Sequence, residues 1–494
     1  MTKTSYRHRD GMRTIIMCFV LLTVGSYPAG AQMKMTLDLA LDIAMENSPE
    51  IRSTRLDLVR SQELLQAQQA ALRSRFSLRL DPFGYTRDQT FNAFLSAWST
   101  SESKTSSSTF TASQPIIQTD GTLFLINRFS WQDSYSSYQD IRNKAYTNDL
   151  YLRFTQPLFT YNRTRLETLE LELDLEQTQL RFAIEKLNLE RQVTQNFCNV
   201  YQNRMSLDIG LEELKNQENS YQITKSKQEA GLVALEELYQ AELNLGTSKS
   251  TVQNRQVTLE NSFDNFKQLI GLDLVDSVTV EADVEYKPVE VNLNKALEEG
   301  LKNRMELRQR KIGIENARFA LIRTQAQNEF RGDVTLSYGV TGKDEQFTDM
   351  YDKPTNTQNF EISFDIPLWD WGEKKSRIKA SEATIDQREL SLEDEKTAIV
   401  IGIRQVHRSL YNSAQQIELA RQNVRNAELT YEINLERYIN GDLTSMDLNL
   451  YQEQLSQRKM GLVNSLIDYR LALLDMKIQS LWDFERNKPV LYEE

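Results

Sequence analysis

Between Arg163 and Gln228 the chain has no proline and one glycine, Gly210, while its apolar residues keep a regular step. Leu166, Leu169, Leu173, Leu180, Ile184 and Leu187, then Val193, Phe197, Val200, Leu207, Leu211, Leu214 and Tyr221, recur at threes and fours. That spacing lays a narrow apolar seam along one long helix, as in a coiled coil. At 1.5 Å per residue, ~66 residues make a rod of about 100 Å. A rod with one greasy stripe cannot bury itself, so helices must pair lengthwise, and a compact catalytic domain is a poor fit.

The stretch has a twin. Gln156-Pro157-Leu158-Phe159 answers Ile366-Pro367-Leu368-Trp369, Tyr221 answers Tyr431 and Gly231 answers Gly441, all at an offset of 210. Further upstream, Ala40, Leu41, Asn47, Glu50 and Arg52 recur as Ala296, Leu297, Asn303, Glu306 and Arg308 at an offset of 256. The chain is therefore a duplication, with 46 extra residues in its first copy between about residue 75 and Pro157. Residues 96 to 113 hold 12 Ser or Thr out of 18, which predicts a solvated loop within that excess. Residues 76–118 receive no other assignment.

This plan divides the chain into a leader (1–31), a first repeat (32–277), a linker (278–292), a second repeat (293–482) and a tail (483–494). Each repeat opens with a short helix and one of about 27 residues. Long helices are expected at about 163–228 and 372–438, each turned by a glycine into a further helix, 234–270 and 444–480. The two shorter helices, ~27 and ~37 residues, stack to about 95 Å, matching one long helix. Each repeat then supplies two antiparallel columns, which must close against further copies of the chain.

Before the second long helix lie two alternating segments, about 333–341 and 359–367. Val334, Leu336, Tyr338 and Val340 oppose Thr335, Ser337 and Thr341, while Phe360, Ile362, Phe364 and Ile366 oppose Glu361, Ser363 and Asp365. The first repeat offers similar segments at about 121–133, with Leu123, Leu125, Phe129 and Trp131, and 147–157, with Leu150, Leu152 and Phe154. Apolar on one face and polar on the other suits a half-buried soluble sheet as well as a membrane barrel with a wet lumen. Phe159, Tyr161, Trp369 and Trp371 just beyond the returning strands favour the barrel, because aromatic side chains gather at membrane interfaces. Four strands cannot close alone.

The chemistry available is narrow. Lys3, Arg7, Arg9 and Arg13 precede an apolar run, Thr14 to Val24, and Ala29-Gly30-Ala31, the pattern of a cleaved export signal. Beyond it remain one histidine, His407, and one cysteine, Cys198, so we expect no enzyme, no catalytic residues, no metal site and no cofactor. No later run is long and apolar enough for a membrane helix. The leader holds four basic residues and one acidic residue, out of 58 and 70 in the whole chain, leaving a net charge of −15 that disfavours nucleic acid as a partner.

Taken together, the Asn-x-x-Glu-[Ile/Leu]-Arg helix openings, the Pro-Leu-aromatic segments at Pro157 and Pro367, and Arg437-Tyr438-Ile439-Asn440-Gly441 resemble the TolC-type outer membrane factors over nearly the whole chain after the leader. The resemblance implies a mainly α fold with a small β part: duplicated helical hairpins form a trimeric α-barrel, and four strands per chain contribute to a twelve-stranded outer-membrane β-barrel. It implies the exit duct of a tripartite efflux pump or type I secretion system, in the outer membrane and reaching into the periplasm. The implied partners are two further copies, outer membrane lipid, a periplasmic adaptor and an inner-membrane efflux or ABC transporter. By the same resemblance, Gly231 and Leu232, with Gly441, Asp442 and Leu443, would be the periplasmic tips that the adaptor meets. Glu432, with Glu428 and Glu436 one turn away on either side, would stand at the acidic gate, where the family usually has Asp. Pro157 and Pro367 would mark the passage from strand to helix. A periplasmic coiled-coil adaptor or scaffold without a membrane barrel is the competing expectation.

Overall fold

A computed structural model describes residues 33–93, 96–281 and 286–490; the leader expected at 1–31 lies outside them. The first repeat begins with β1 (Met33–Met35), α1 (Leu37–Asn47) and α2 (Pro49–Ala71). Four strands follow, β2 (Arg75–Asn92), β3 (Ala97–Ile116), β4 (Gly121–Ser136) and β5 (Ile141–Leu158), then α3 (Arg163–Glu229), α4 (Leu235–Ile270) and β6 (Val278–Val280). The second repeat has α5 (Leu293–Asn303), α6 (Met305–Gln325), two strands, β7 (Arg331–Asp344) and β8 (Thr355–Asp365), then α7 (Glu373–Asn440) and α8 (Ser445–Ser480). The described chain ends in a small hairpin, β9 (Trp482–Asp483) and β10 (Lys488–Pro489).

The chain divides into two compact units. One takes the residues up to Pro49, Leu189–Lys287 and Ser413–Leu471; the other takes Glu50–Asn188, Pro288–Asn412 and everything from Ala472.

The unit that holds the strands carries one six-stranded sheet in the order β2-β3-β4-β5-β7-β8, antiparallel throughout. This corrects the expectation of four strands per chain and of a Ser/Thr-rich loop at 96–113, because all of that run but Ser96 lies in β3. Its threonines suit a pleated strand, and the ladder to β2 and β4 satisfies its backbone. Residues 75–120, one hairpin and its closing turn, match the excess length of the first repeat. In β2 the register slips between Asp81 and Gly84, a bulge at Pro82-Phe83, beyond which the strand continues against β3. The helical part of this unit packs Ala296, Leu307, Ile399, Ile403 and Met476 into a closed core. Arg308 binds Glu176 through two hydrogen bonds, 2.5 and 2.7 Å, and Glu315 at 2.8 Å.

The other unit packs the ends of α3 and α7 with α4 and α8. Cys198, Val463 and Ile467 form one cluster, and Tyr431, Tyr438, Leu448 and Leu455 form another. Burial pushes the Cys198 thiol up to about 11, so it stays protonated and unreactive. β1 and β6 pair in parallel, and the Arg204 guanidinium reaches the Val280 carbonyl at 2.8 Å.

Candidate functional site

The sheet register sorts side chains into two faces. Residues opposite one another in a ladder share a face, so the rows Leu78–Phe110–Asn127–Leu150–Val340–Asn356 and Phe76–Ala112–Leu125–Leu152–Tyr338–Gln358 lie on one side. A third row, Gln114–Leu123–Phe154–Leu336–Phe360, extends the same apolar side. It is not covered: Phe76 is 70% exposed, Leu78 62% and Phe360 65%. The reverse face carries Arg79–Thr109–Arg128–Asp149–Thr341–Thr355 and its neighbouring rows. There β3 presents Ser101, Ser103, Thr105, Ser107, Thr109, Thr111 and Ser113, an unbroken line of hydroxyls. Aromatic groups flank the sheet at both ends. Phe330 stacks on Phe364 and tilts against Phe159 at the helix end, where Trp369 and Trp371 also meet, and Phe129, Tyr146, Phe347 and Tyr351 cluster at the other.

Pro157 is the penultimate residue of β5, opposite Asp333. Pro367 lies between β8 and α7. The two long helices start differently. The Asp120 carboxylate, in the turn between β3 and β4, accepts from Arg163 N–H at 3.3 Å, Thr164 N–H at 3.1 Å and the Thr164 hydroxyl at 2.5 Å. Asn162 adds a local cap, accepting from Arg165 N–H at 2.8 Å, whereas α7 has a local cap alone. Asp370 accepts from the N–H groups of Gly372 at 3.0 Å and Lys374 at 3.1 Å, which hold its carboxyl below the usual range.

At the far end of α3 and α7, Gly231 and Gly441 adopt φ of 71° and 94°. In each, the glycine N–H and the next one turn back onto the helix: Leu232 to the Lys227 carbonyl at 2.8 Å, Asp442 to the Arg437 carbonyl at 2.9 Å. This is a helix end that demands the left-handed conformation. Leu232 is 75% exposed at the first tip, whereas Leu443 packs against the Tyr431 cluster at the second. Asp442 is exposed. Thr444 caps α8 by accepting from Asp447 N–H at 3.1 Å, and Glu237 binds Ser445 N–H at 3.2 Å, tying the two turns together.

Glu428, Glu432 and Glu436 are all exposed on α7, beside exposed Leu429 and Ile433. The structure does not bring them to a common ligand. Glu428 lies 3.9 Å from Lys459, which binds Glu212 at 2.8 Å, while Glu432 and Glu436 project without a partner among the described residues.

The sequence reading missed the buried knot beside them. Tyr438 shares a short hydrogen bond with Thr224, its hydroxyl also donates to the Ser220 carbonyl at 3.4 Å, and Lys227 binds the Tyr438 carbonyl while lying over its ring. Burial raises the Tyr438 phenol, and pushes Tyr431 up to about 12. A tyrosine in the Arg-Tyr-Ile-Asn-Gly motif was the available signal; its partners, more than 200 residues earlier, gave none.

Residues 296–475 match the family profile "Outer membrane efflux protein". The fold matches a membrane protein from Pseudomonas aeruginosa at a TM-score of 0.68 and 13% identity, covering 90% of each chain. It matches the Campylobacter jejuni CmeC outer membrane channel at 0.68 and 13%, covering 92% of this chain and 87% of that one. The chain resembles the TolC-type outer membrane factors in fold and in family signature. VceC, an outer membrane protein of Vibrio cholerae, matches this TolC-type fold at 0.64 and 15%, covering 90% of this chain and 94% of that one. No curated protein sequence matches. None of the described helices is long and apolar enough to cross a membrane.

Proposed function

We propose that this chain forms a trimeric, non-catalytic outer membrane duct, the exit of a tripartite efflux pump or type I secretion system. The observation that carries the reading is the six-stranded sheet, with an exposed apolar face opposite a polar one. A soluble scaffold would leave that apolar area in water, where patches so large mark a membrane or partner surface. In this reading residues 1–31 are the export signal, 32–277 and 293–482 are the two repeats, and the helices stand in the periplasm as an α-barrel.

The tips at Gly231, Leu232, Gly441, Asp442 and Leu443 then dock the adaptor. Glu432, with Glu428 and Glu436, lines the gate, where three symmetry copies concentrate negative potential around the axis. The Tyr438–Thr224–Lys227 knot holds the two hairpin ends together in the resting state. Adaptor and pump open the duct by binding the open arrangement better than the closed one.

The test is planar-bilayer conductance of detergent-purified protein, wild type against Glu432→Gln, across divalent cation concentrations. We expect discrete cation-selective openings whose divalent block weakens in the variant. Openings with unchanged block would remove Glu432 from the gate, and a water-soluble protein without openings would sink the duct and favour the periplasmic scaffold.

A further inference from the structure

Six strands per chain leave two bare edges. Among the described residues β2 pairs only with β3, and β8 only with β7; every residue of β8 is exposed, as is nearly all of β2. An edge of unpaired N–H and C=O groups cannot stand in lipid, where no water is available to satisfy it. The occupant of each edge follows from polarity, faces and charge. Because the sheet is antiparallel and its strand number even, β8 of one copy runs antiparallel to β2 of another, with the helix ends of both strands on the same side.

One register satisfies both faces at once. Setting Arg75 against Asp365 also sets Arg79 against Glu361 on the polar face, two opposite-charge pairs. The same register sets Phe76 against Phe364, Leu78 against Ile362 and Leu80 against Phe360 on the apolar face. Asp365 already binds Arg331 at 2.7 Å and is 63% exposed, leaving room for a second guanidinium. Glu361 has no partner among the described residues of its own chain. The pairing stops where β2 bulges at Pro82, just after Asp81.

We infer that the β2 edge of each chain is the binding surface for the β8 edge of a second copy, in this register. With the threefold duct proposed above, on which this inference rests, three six-stranded sheets close a wall of eighteen strands, not the twelve the resemblance implies. Barrel diameter grows roughly linearly with strand number, so the lumen is about 1.5 times wider and roughly twice as large in cross-section. Three lines of hydroxyls from β3 add uncharged polar surface to it. The wall is thus suited to bulky polar cargo.

The experiment uses the full chain purified in detergent with paired cysteines. Ser77→Cys with Ser363→Cys places two thiols opposite one another across the seam. Ile126→Cys with Ser363→Cys does so only if the β2–β3 hairpin lies outside the wall and β4 meets the neighbour. Mild oxidation is expected to link the first pair into covalent dimers and trimers and to leave the second unlinked, with the single variants unlinked throughout. Links in the second pair, or none in the first while conductance persists, would overturn the eighteen-stranded seam and leave the duct standing. A monomeric, water-soluble protein would overturn both. Charge exchange checks the register independently: Arg79→Glu is expected to lower the temperature at which trimers dissociate, and Glu361→Arg in the same chain to restore it. A loss not restored would overturn the register.

Discussion

The two repeats reach their long helices by different routes. In the second, α6 leads to one hairpin, and α7 is capped by Asp370, five residues beyond the end of β8 at Asp365. In the first, α2 leads to two hairpins, and α3 is capped by Asp120 from the turn between them. The additional hairpin is therefore not an ornament on the first repeat. It shares the sheet's backbone ladder, and the turn that follows it supplies a carboxylate that joins Asn162 in capping the long helix, so the sheet and the start of the rod are tied together there and separable in the second repeat.

The sharpest way to break this comparison is to make the repeats alike. Deleting residues 75–116 gives the first repeat the single-hairpin plan of the second, and single-channel conductance is expected to fall about twofold with the smaller cross-section. Unchanged conductance would mean that the hairpin never lined the pore.

The tips offer the next contrast. Gly231→Ala and Gly441→Ala each force a side chain into the left-handed region and should cost about 1–2 kcal/mol locally. Amide exchange is expected to quicken more at the first tip, where Ala234 gives α4 no side-chain cap, than at the second, where Thr444 caps α8. Equal exchange at both would dissolve that asymmetry. Asp120→Ala should cost about 1 kcal/mol and expose amides in both α3 and the β3–β4 turn. Asp370→Ala should affect the start of α7 alone and by less. Because backbone N–H groups lower the Asp370 carboxyl, its contribution is fully present above the ordinary carboxylate range and lost as pH falls through the lowered value; thermal melts from pH 7 to 5 should show no change from this cap.

The smallest effect at neutral pH concerns Tyr431. Its phenol is raised to about 12, so the unfolded chain ionises first, near pH 10. Stability should decline from there towards pH 12, and Tyr431→Phe should flatten that part of the decline in alkaline melts.

What the sequence revealed follows the same division. β4, β5, β7 and β8 were legible because their outward positions are large and apolar. β3 was not, since its outward Ser106, Ser108 and Gln114 resemble its inward serines and threonines, leaving no contrast to read. β2 was hidden by its bulge: Leu78 and Leu80 face the apolar side before it, and Tyr85, opposite Lys104, takes that side after it, so the alternation breaks phase. The exposure of Glu432 could be read from the helical seam. The Tyr438 knot could not, because hydropathy does not say which polar groups two distant helix ends will share.

The even number of strands carries a further consequence. One strand inserted into the first repeat would reverse the chain's direction and deliver α3 to the opposite end of the sheet. A hairpin preserves it. In the threefold wall proposed above such a change would be repeated three times over, so the bore would be quantised: it would widen or narrow only in steps of six strands, leaving the helices on the same side at each step.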